Sequence, residues 1–206
     1  MLDFALYLVT DRAIARRPLA EVVEECLDAG LRAVQLREKD LAVPDLLGLA
    51  VSLREVTGRR GARLLINDRA DVALAAGADG VQRTHLSLPV EVLRRIGPPP
   101  FLIGASAHAE AEARQAAAEG ADFVVFGPIY DTPSKRQYGA PQGLQALRQV
   151  VAAVDRPVIA IGGITPGRVR EVLAAGAVGA AVISAILGVD RPADVTKSFL
   201  DALGRA

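Results

Sequence analysis

A single (β/α)8 barrel of the α/β class, spanning residues 1–206, is the fold this sequence predicts, and three observations predict it. A glycine-centred phrase recurs four times, further short apolar runs fall between its copies, and the 206 residues divide into eight strand-plus-helix units of about 26 residues each. The phrase reads Ala29-Gly30-Leu31-Arg32-Ala33-Val34, Ala76-Gly77-Ala78-Asp79-Gly80-Val81, Glu119-Gly120-Ala121-Asp122-Phe123-Val124 and Ala175-Gly176-Ala177-Val178-Gly179-Ala180. Each copy closes an Ala/Leu/Glu-rich helical pattern with a glycine suited to a left-handed cap, then opens an apolar run of strand type. The four glycines stand 47, 43 and 56 residues apart, close to the length of two units.

Taken in order, the first strand runs from Ala5 to Val9 and ends in Thr10, Asp11 and Arg12. The lack of glycine there removes the fingerprint that a doubly wound dinucleotide-binding sheet, the competing fold, carries after its first strand. The second strand opens at Ala33-Val34 and ends in Gln35, Arg37, Glu38 and Lys39. The third, Arg63 to Ile66, ends in Asn67, Asp68 and Arg69, and the fourth, opening at Gly80-Val81, ends in Gln82, Arg83 and Thr84. Pro98-Pro99-Pro100 stops the helix before the fifth strand, Phe101 to Ala105, which ends in Ser106 and His108. The sixth opens at Phe123-Val124 and leads into a long polar connection from Gly127 to Pro141. The seventh, Pro157 to Ile161, ends in Gly162-Gly163, and the eighth, opening at Gly179-Ala180, ends in Ser184. Strands alternating with helices imply parallel pairing through right-handed crossovers.

Composition narrows the function. The 24 Lys and Arg balance 24 Asp and Glu, and no basic run exceeds the length of Arg16-Arg17, which argues against a nucleic-acid partner. A mean hydropathy of +0.28 with 23% charged residues excludes a disordered chain. No stretch reaches the roughly 18 apolar residues of a membrane span. The first ten residues lack the charged and apolar regions of a signal peptide, so a soluble, cytoplasmic protein without a membrane partner is expected. Cys26 is the one cysteine, which excludes a disulfide framework and a cysteine-based zinc site; its apolar neighbours mark a buried packing thiol.

In this architecture chemistry sits on the loops after the carboxyl ends of the strands, and the polar residues gathered there have the distribution of an enzyme. Gly162 and Gly163 let backbone N–H groups approach an anion, and the eighth strand delivers Ile183 and Ser184 into a short helical turn beside them. Together they form the expected phosphate site, which points to a small phosphate ester as ligand. Thr132, Ser134 and Lys135 offer two hydroxyls and a cation within four residues, a clamp for a second anionic group. His108 ends a strand, and imidazole is the side chain best matched to proton transfer near neutral pH. Asp68 is placed to meet magnesium, although a lone carboxylate makes a weak metal site. Asn67 suits a neutral hydrogen bond to ligand. His85 reads as a solvated loop residue and Asp71 as the cap of the helix that follows.

Seven stretches then resemble one family in order along essentially the whole chain. They are Tyr7 to Arg12, Val34 to Lys39, Leu65 to Arg69, Ile103 to His108, Phe126 to Tyr130, Thr132 to Lys135 and Ala160 to Ile164. The family is that of thiamine-phosphate synthase and its sister, thiazole tautomerase. The resemblance implies a (β/α)8 barrel in thiamine biosynthesis with a small phosphorylated thiazole as substrate. Its synthase branch would make Gln35, Lys39, Asn67, Ser106, Thr132, Ser134 and Lys135 contacts to the pyrophosphate and pyrimidine. Asp68 would then be one of two carboxylates on magnesium, the cofactor of that branch.

The second carboxylate belongs to a pattern Gly-Val-His-Leu-Gly-x-x-Asp. This chain reads Gly80-Val81-Gln82-Arg83-Thr84-His85-Leu86-Ser87, with glutamine for the histidine and serine for the carboxylate. Serine carries no charge to offset a divalent cation, and the Val-Gln pair resembles the tautomerase branch. The expectation is therefore a metal-free isomerase that aromatises a thiazole carboxylate phosphate by a 1,3-proton shift. His108 would move the proton, Gly162, Gly163, Ile183 and Ser184 would hold the phosphate, and Lys39, Lys135 and Gln35 would face the carboxylate. The alternatives are the magnesium-dependent synthase, which couples hydroxymethylpyrimidine pyrophosphate to thiazole phosphate, and a non-catalytic, phosphate-binding regulatory homologue. A homodimer is expected.

Overall fold

The computed structural model describes residues 2–132 and 140–204. Its eight strands are β1 (Leu6–Val9), β2 (Ala33–Leu36), β3 (Arg63–Asn67), β4 (Gly80–Arg83), β5 (Leu102–Ala107), β6 (Phe123–Phe126), β7 (Val158–Ile161) and β8 (Gly179–Val182). All pair in parallel in sequence order, and β8 returns to β1 with Leu6 opposite Ala180, closing a TIM-type barrel as expected. Around it run α1 (Leu19–Asp28), α2 (Val43–Arg59), α3 (Ala70–Ala75), α4 (Val90–Ile96), α5 (Glu110–Ala118) and α6 (Gly143–Ala153). A 3-10 turn (Pro166–Arg168) leads into α7 (Val169–Ala174), and a single turn, α8 (Ser184–Leu187), precedes α9 (Pro192–Ala202). None of the described helices is long and apolar enough to cross a membrane.

The repeated phrase has a physical basis at its glycine and, in two copies, at an aspartate. Gly30, Gly77, Gly120 and Gly176 all take positive φ, from 63° to 107°, and so end their helices in the backbone region that a β-carbon disfavours. The aspartate of the second and third copies ties neighbouring strands together at their amino ends. Asp79 accepts the Leu64 N–H at 2.9 Å and Arg54 at 2.7 Å; Asp122 accepts the Ile103 N–H at 2.7 Å and Arg94 at 2.6 Å.

Side chains alternate across each strand, and the alternation divides the core in two. Leu6, Leu8, Val34, Leu36, Leu64 and Ile66 face outward and pack under the helices. Tyr7, Val9, Ala33, Leu65, Phe123, Val125, Ile159 and Ala181 face inward. Phe4, Tyr7 and Phe123 plug the barrel with ring centroids 5.3–5.9 Å apart. Cys26 is fully buried on α1, as its neighbours imply, and burial pushes its thiol up to about 11. Continuing the inward parity of the core, Gln35, Asn67, Gln82 and Ser106 fall toward the carboxyl mouth of the barrel.

Candidate active site at the carboxyl end of the barrel

The mouth is built from the strand ends inward. Gln82 bridges the interior, donating from Nε2 to Ser106 Oγ at 3.0 Å while Tyr7 Oη lies 3.5 Å from its Oε1. Burial holds the Tyr7 phenol well above its ordinary range, so it stays a neutral donor. With one lone pair of Ser106 Oγ taken by Gln82, its own proton is left to give to a ligand. Neither Tyr7 nor Gln82 was singled out as a site residue in the sequence; the signal was there in the period-two alternation that puts both on the inward side.

Asp68 stands at the end of β3 with φ of 66°, and it is the one non-glycine residue of positive φ among the described residues. Such strain concentrates where position matters more than stability. Its Oδ1 accepts from Ser87 Oγ, and Ser87 Oγ in turn takes the Thr84 N–H at 2.8 Å, which seats the β4 loop against β3. Ser87, read as the departure from the two-carboxylate pattern, thus directly faces the carboxylate that remains. Lys39 is exposed at the end of the β2 loop. Its ammonium titrates below the usual lysine range through partial desolvation and the nearby Arg37, while Asp68 pulls the other way. Lys39 thus lies within electrostatic reach of both Arg37 and Asp68. Arg37, named in the sequence only among the polar residues that end the second strand, follows Gln35 at a period of two.

His108 lies just beyond β5, exposed, with Nδ1 2.6 Å from the Gly127 carbonyl at the end of β6. A carbonyl only accepts, so Nδ1 carries the proton and Nε2 of the neutral ring keeps its lone pair. On the far side of the mouth, Gly162 and Gly163 have φ of 99° and 65°. A β-carbon at Gly162 would lie 2.6 Å from Pro128 Cα, and one at Gly163 would lie 2.8 Å from Tyr130 Cβ. Both glycines are thus required by the β6 connection that packs on them, besides any ligand. Their carbonyls are occupied, by the Tyr130 N–H at 3.1 Å and by Arg168 at 2.8 Å. Ile183 caps α8, and the exposed Ser184 begins it, directly after β8 as expected.

Thr132 Oγ1 is buried at the root of the β6 connection with no partner among the described residues. Ser134 and Lys135 lie outside the described residues. His85 is exposed, as expected. Asp71 departs from expectation: Arg69 takes the cap position of α3 and Asp71 sits within the first turn, paired to the Arg69 guanidinium. A bidentate partner two residues back outcompetes the single N–H a cap would supply.

Comparison with known proteins gives matches over nearly the whole chain. Residues 6–186 match the family model described as thiamine monophosphate synthase. The thiamine-phosphate synthase of Methanoculleus marisnigri is 47% identical over 206 residues, covering all of this chain and 98% of the relative. A solved structure, thiamine phosphate pyrophosphorylase from Pyrococcus furiosus, superposes with a TM-score of 0.89 at 37% identity, covering 98% of this chain and 96% of that one.

Proposed function

Because the chain belongs to the thiamine monophosphate synthase family, we propose that it joins hydroxymethylpyrimidine pyrophosphate to thiazole phosphate, with release of pyrophosphate. The relatives' activity supports this over the isomerase expected from the β4 loop. The observation that carries it is Asp68 with Ser87 against it at the end of β3, next to the end of β2 where Arg37 and Lys39 supply cations suited to a diphosphate.

The donor set fits magnesium only together with substrate oxygens. Among the described residues there is no cluster of three His, Cys, Asp or Glu. One carboxylate and a hydroxyl, Asp68 and Ser87, lie side by side. Magnesium is commonly held by one or two carboxylates plus substrate phosphates, so Asp68 and Ser87 would hold it from the protein side. When bound, it would neutralise charge on the departing pyrophosphate. Arg37 and Lys39 would hold the same group from β2. Ser106, oriented by Gln82, would give its hydroxyl proton to the pyrimidine side, with Asn67 and Gln35 beside it. Gly162, Gly163, Ile183 and Ser184 would receive the thiazole phosphate, and Thr132, Ser134 and Lys135 would be contacts to the diphosphate.

One observation favours a second reading, the metal-free tautomerase: the fixed Nδ1–H of His108 leaves Nε2 free to take up and return a proton. A paired assay separates the two. Thiamine phosphate formation that needs magnesium and stops with EDTA is the expected result. Isomerisation of the thiazole carboxylate phosphate indifferent to EDTA, with no coupling, would overturn it. Binding of thiazole phosphate without either turnover would leave the regulatory homologue.

A further inference from the structure

A regular parallel ladder would have Thr10 donate its N–H to the Gln35 carbonyl and accept the Arg37 N–H at its own carbonyl. The first bond forms at 2.9 Å, but the Arg37 N–H goes instead to the Thr10 hydroxyl, also at 2.9 Å. The chain has turned away by then, with the N–H groups of Ile14 and Ala15 folding back onto the Asp11 carbonyl. A side chain thus carries the β1–β2 pairing one step past the strand.

The Thr10 hydroxyl, having accepted one N–H, gives its proton to Glu38 Oε1 at 2.6 Å, a charge-assisted length. Glu38 is the one formally charged side chain that is buried among the described residues. A buried carboxylate is tolerated only where donors surround it. Here Thr10 is joined by the Arg12 N–H at 3.1 Å and the Arg12 guanidinium at 3.3 Å. Arg12 then grips Asp40 through two bonds of 2.6 Å. Residues 37, 38 and 40 are each fastened to the segment after β1, and the fastening holds up Arg37 and Lys39. Thr10 and Glu38 are themselves too buried to touch a substrate.

We infer that Thr10 and Glu38 are positioning residues for the diphosphate: they fix where Arg37 and Lys39 stand against Asp68, and so set affinity for that group while leaving the thiazole-phosphate half of the site alone. The inference rests on the synthase reading and names how its diphosphate subsite is held. The test is calorimetric titration of the full chain with inorganic pyrophosphate in the presence of magnesium, beside steady-state kinetics. Thr10→Val keeps the shape and removes both bonds; it should weaken pyrophosphate binding and raise KM for the pyrimidine substrate about tenfold, the scale of a lost hydrogen bond to a charged group. The KM for thiazole phosphate should stay within about twofold, and Thr10→Ser should restore the wild-type values, because it keeps the hydroxyl. Glu38→Gln, which turns one acceptor into a donor facing Arg12, provides a second variant should Thr10→Val not fold. A folded Thr10→Val protein that binds pyrophosphate like the wild type overturns the inference and leaves the synthase reading standing. Wild-type protein that binds no pyrophosphate overturns both.

Discussion

At the amino end of the barrel Asp79 takes Arg54, Arg63 and a strand N–H, Asp122 takes Arg94 and another strand N–H, and Arg63 reaches on to Asp3. At the carboxyl end Arg37 and Lys39 stand near Asp68, and among the described residues neither has an ion-pair partner within 4 Å; Asp68 itself occupies a strained backbone well. The residue types are the same. At the amino end opposite charges have been brought into contact by the fold. At the carboxyl end Arg12 pairs with Glu38 and Asp40 in the same way, whereas the charges of Arg37 and Lys39 are taken up by no described carboxylate within 4 Å. Charge that is satisfied internally reads as stability, and charge held back reads as a binding site.

Substitutions at the two ends should therefore separate activity from stability. The largest effect is expected at Asp68. Asn also tolerates positive φ, so Asp68→Asn should fold with an unchanged melting temperature yet lose on the order of 100-fold in coupling rate, the scale of a preorganised electrostatic contact. A melting temperature that falls with the rate would break the contrast. Asp122→Ala should do the reverse. It strands the Ile103 N–H and Arg94, a cost of about 1–3 kcal/mol, and should lower Tm by about 2–4 °C for each kcal/mol while leaving kcat/KM alone.

The smallest effect concerns pH. Lys39 has a lowered pKa, so it loses its proton, and with it part of its hold on an anion, at lower pH than an ordinary lysine does. Pyrophosphate affinity, titrated over about pH 7 to 10, should weaken earlier on the alkaline side than an unperturbed ammonium would allow. Lys39→Arg should flatten that limb. An alkaline limb that survives in Lys39→Arg would place the titrating group elsewhere.

The architecture was legible because a barrel repeats: helix, left-handed glycine, short strand, at a spacing that only eight units fill. Positions set by a single strand were legible too: the glycine pair follows β7 and Ser184 opens α8. What escaped was set by pairing between strands. That Thr10 substitutes its hydroxyl for a ladder carbonyl, or that Ser87 meets Asp68, depends on register across β1–β2 and β3–β4, which no local pattern encodes. Asp71 misled for the same kind of reason, since a capping residue and an ion-pair partner look alike until the helix start is fixed. The β4 loop had pointed toward a metal-free isomerase, whereas the relatives support a synthase. One missing carboxylate weighs less once Asp68 and substrate oxygens are counted together.

The two legs of the β6–α6 connection are stitched together at their base. The Ile129 N–H bonds to Ile161, the Gln142 N–H to Pro128 and the Gly143 N–H to Ile129, at 2.8–3.1 Å, while Tyr130 is pinned by Glu171 at 2.7 Å and covered by Arg168. Both ends of the connection are thereby held at one place on the barrel rim. For an engineer, Pro128, Ile129 and Tyr130 are fixed points, since a change there would disturb bonds to β7, α6 and α7 together.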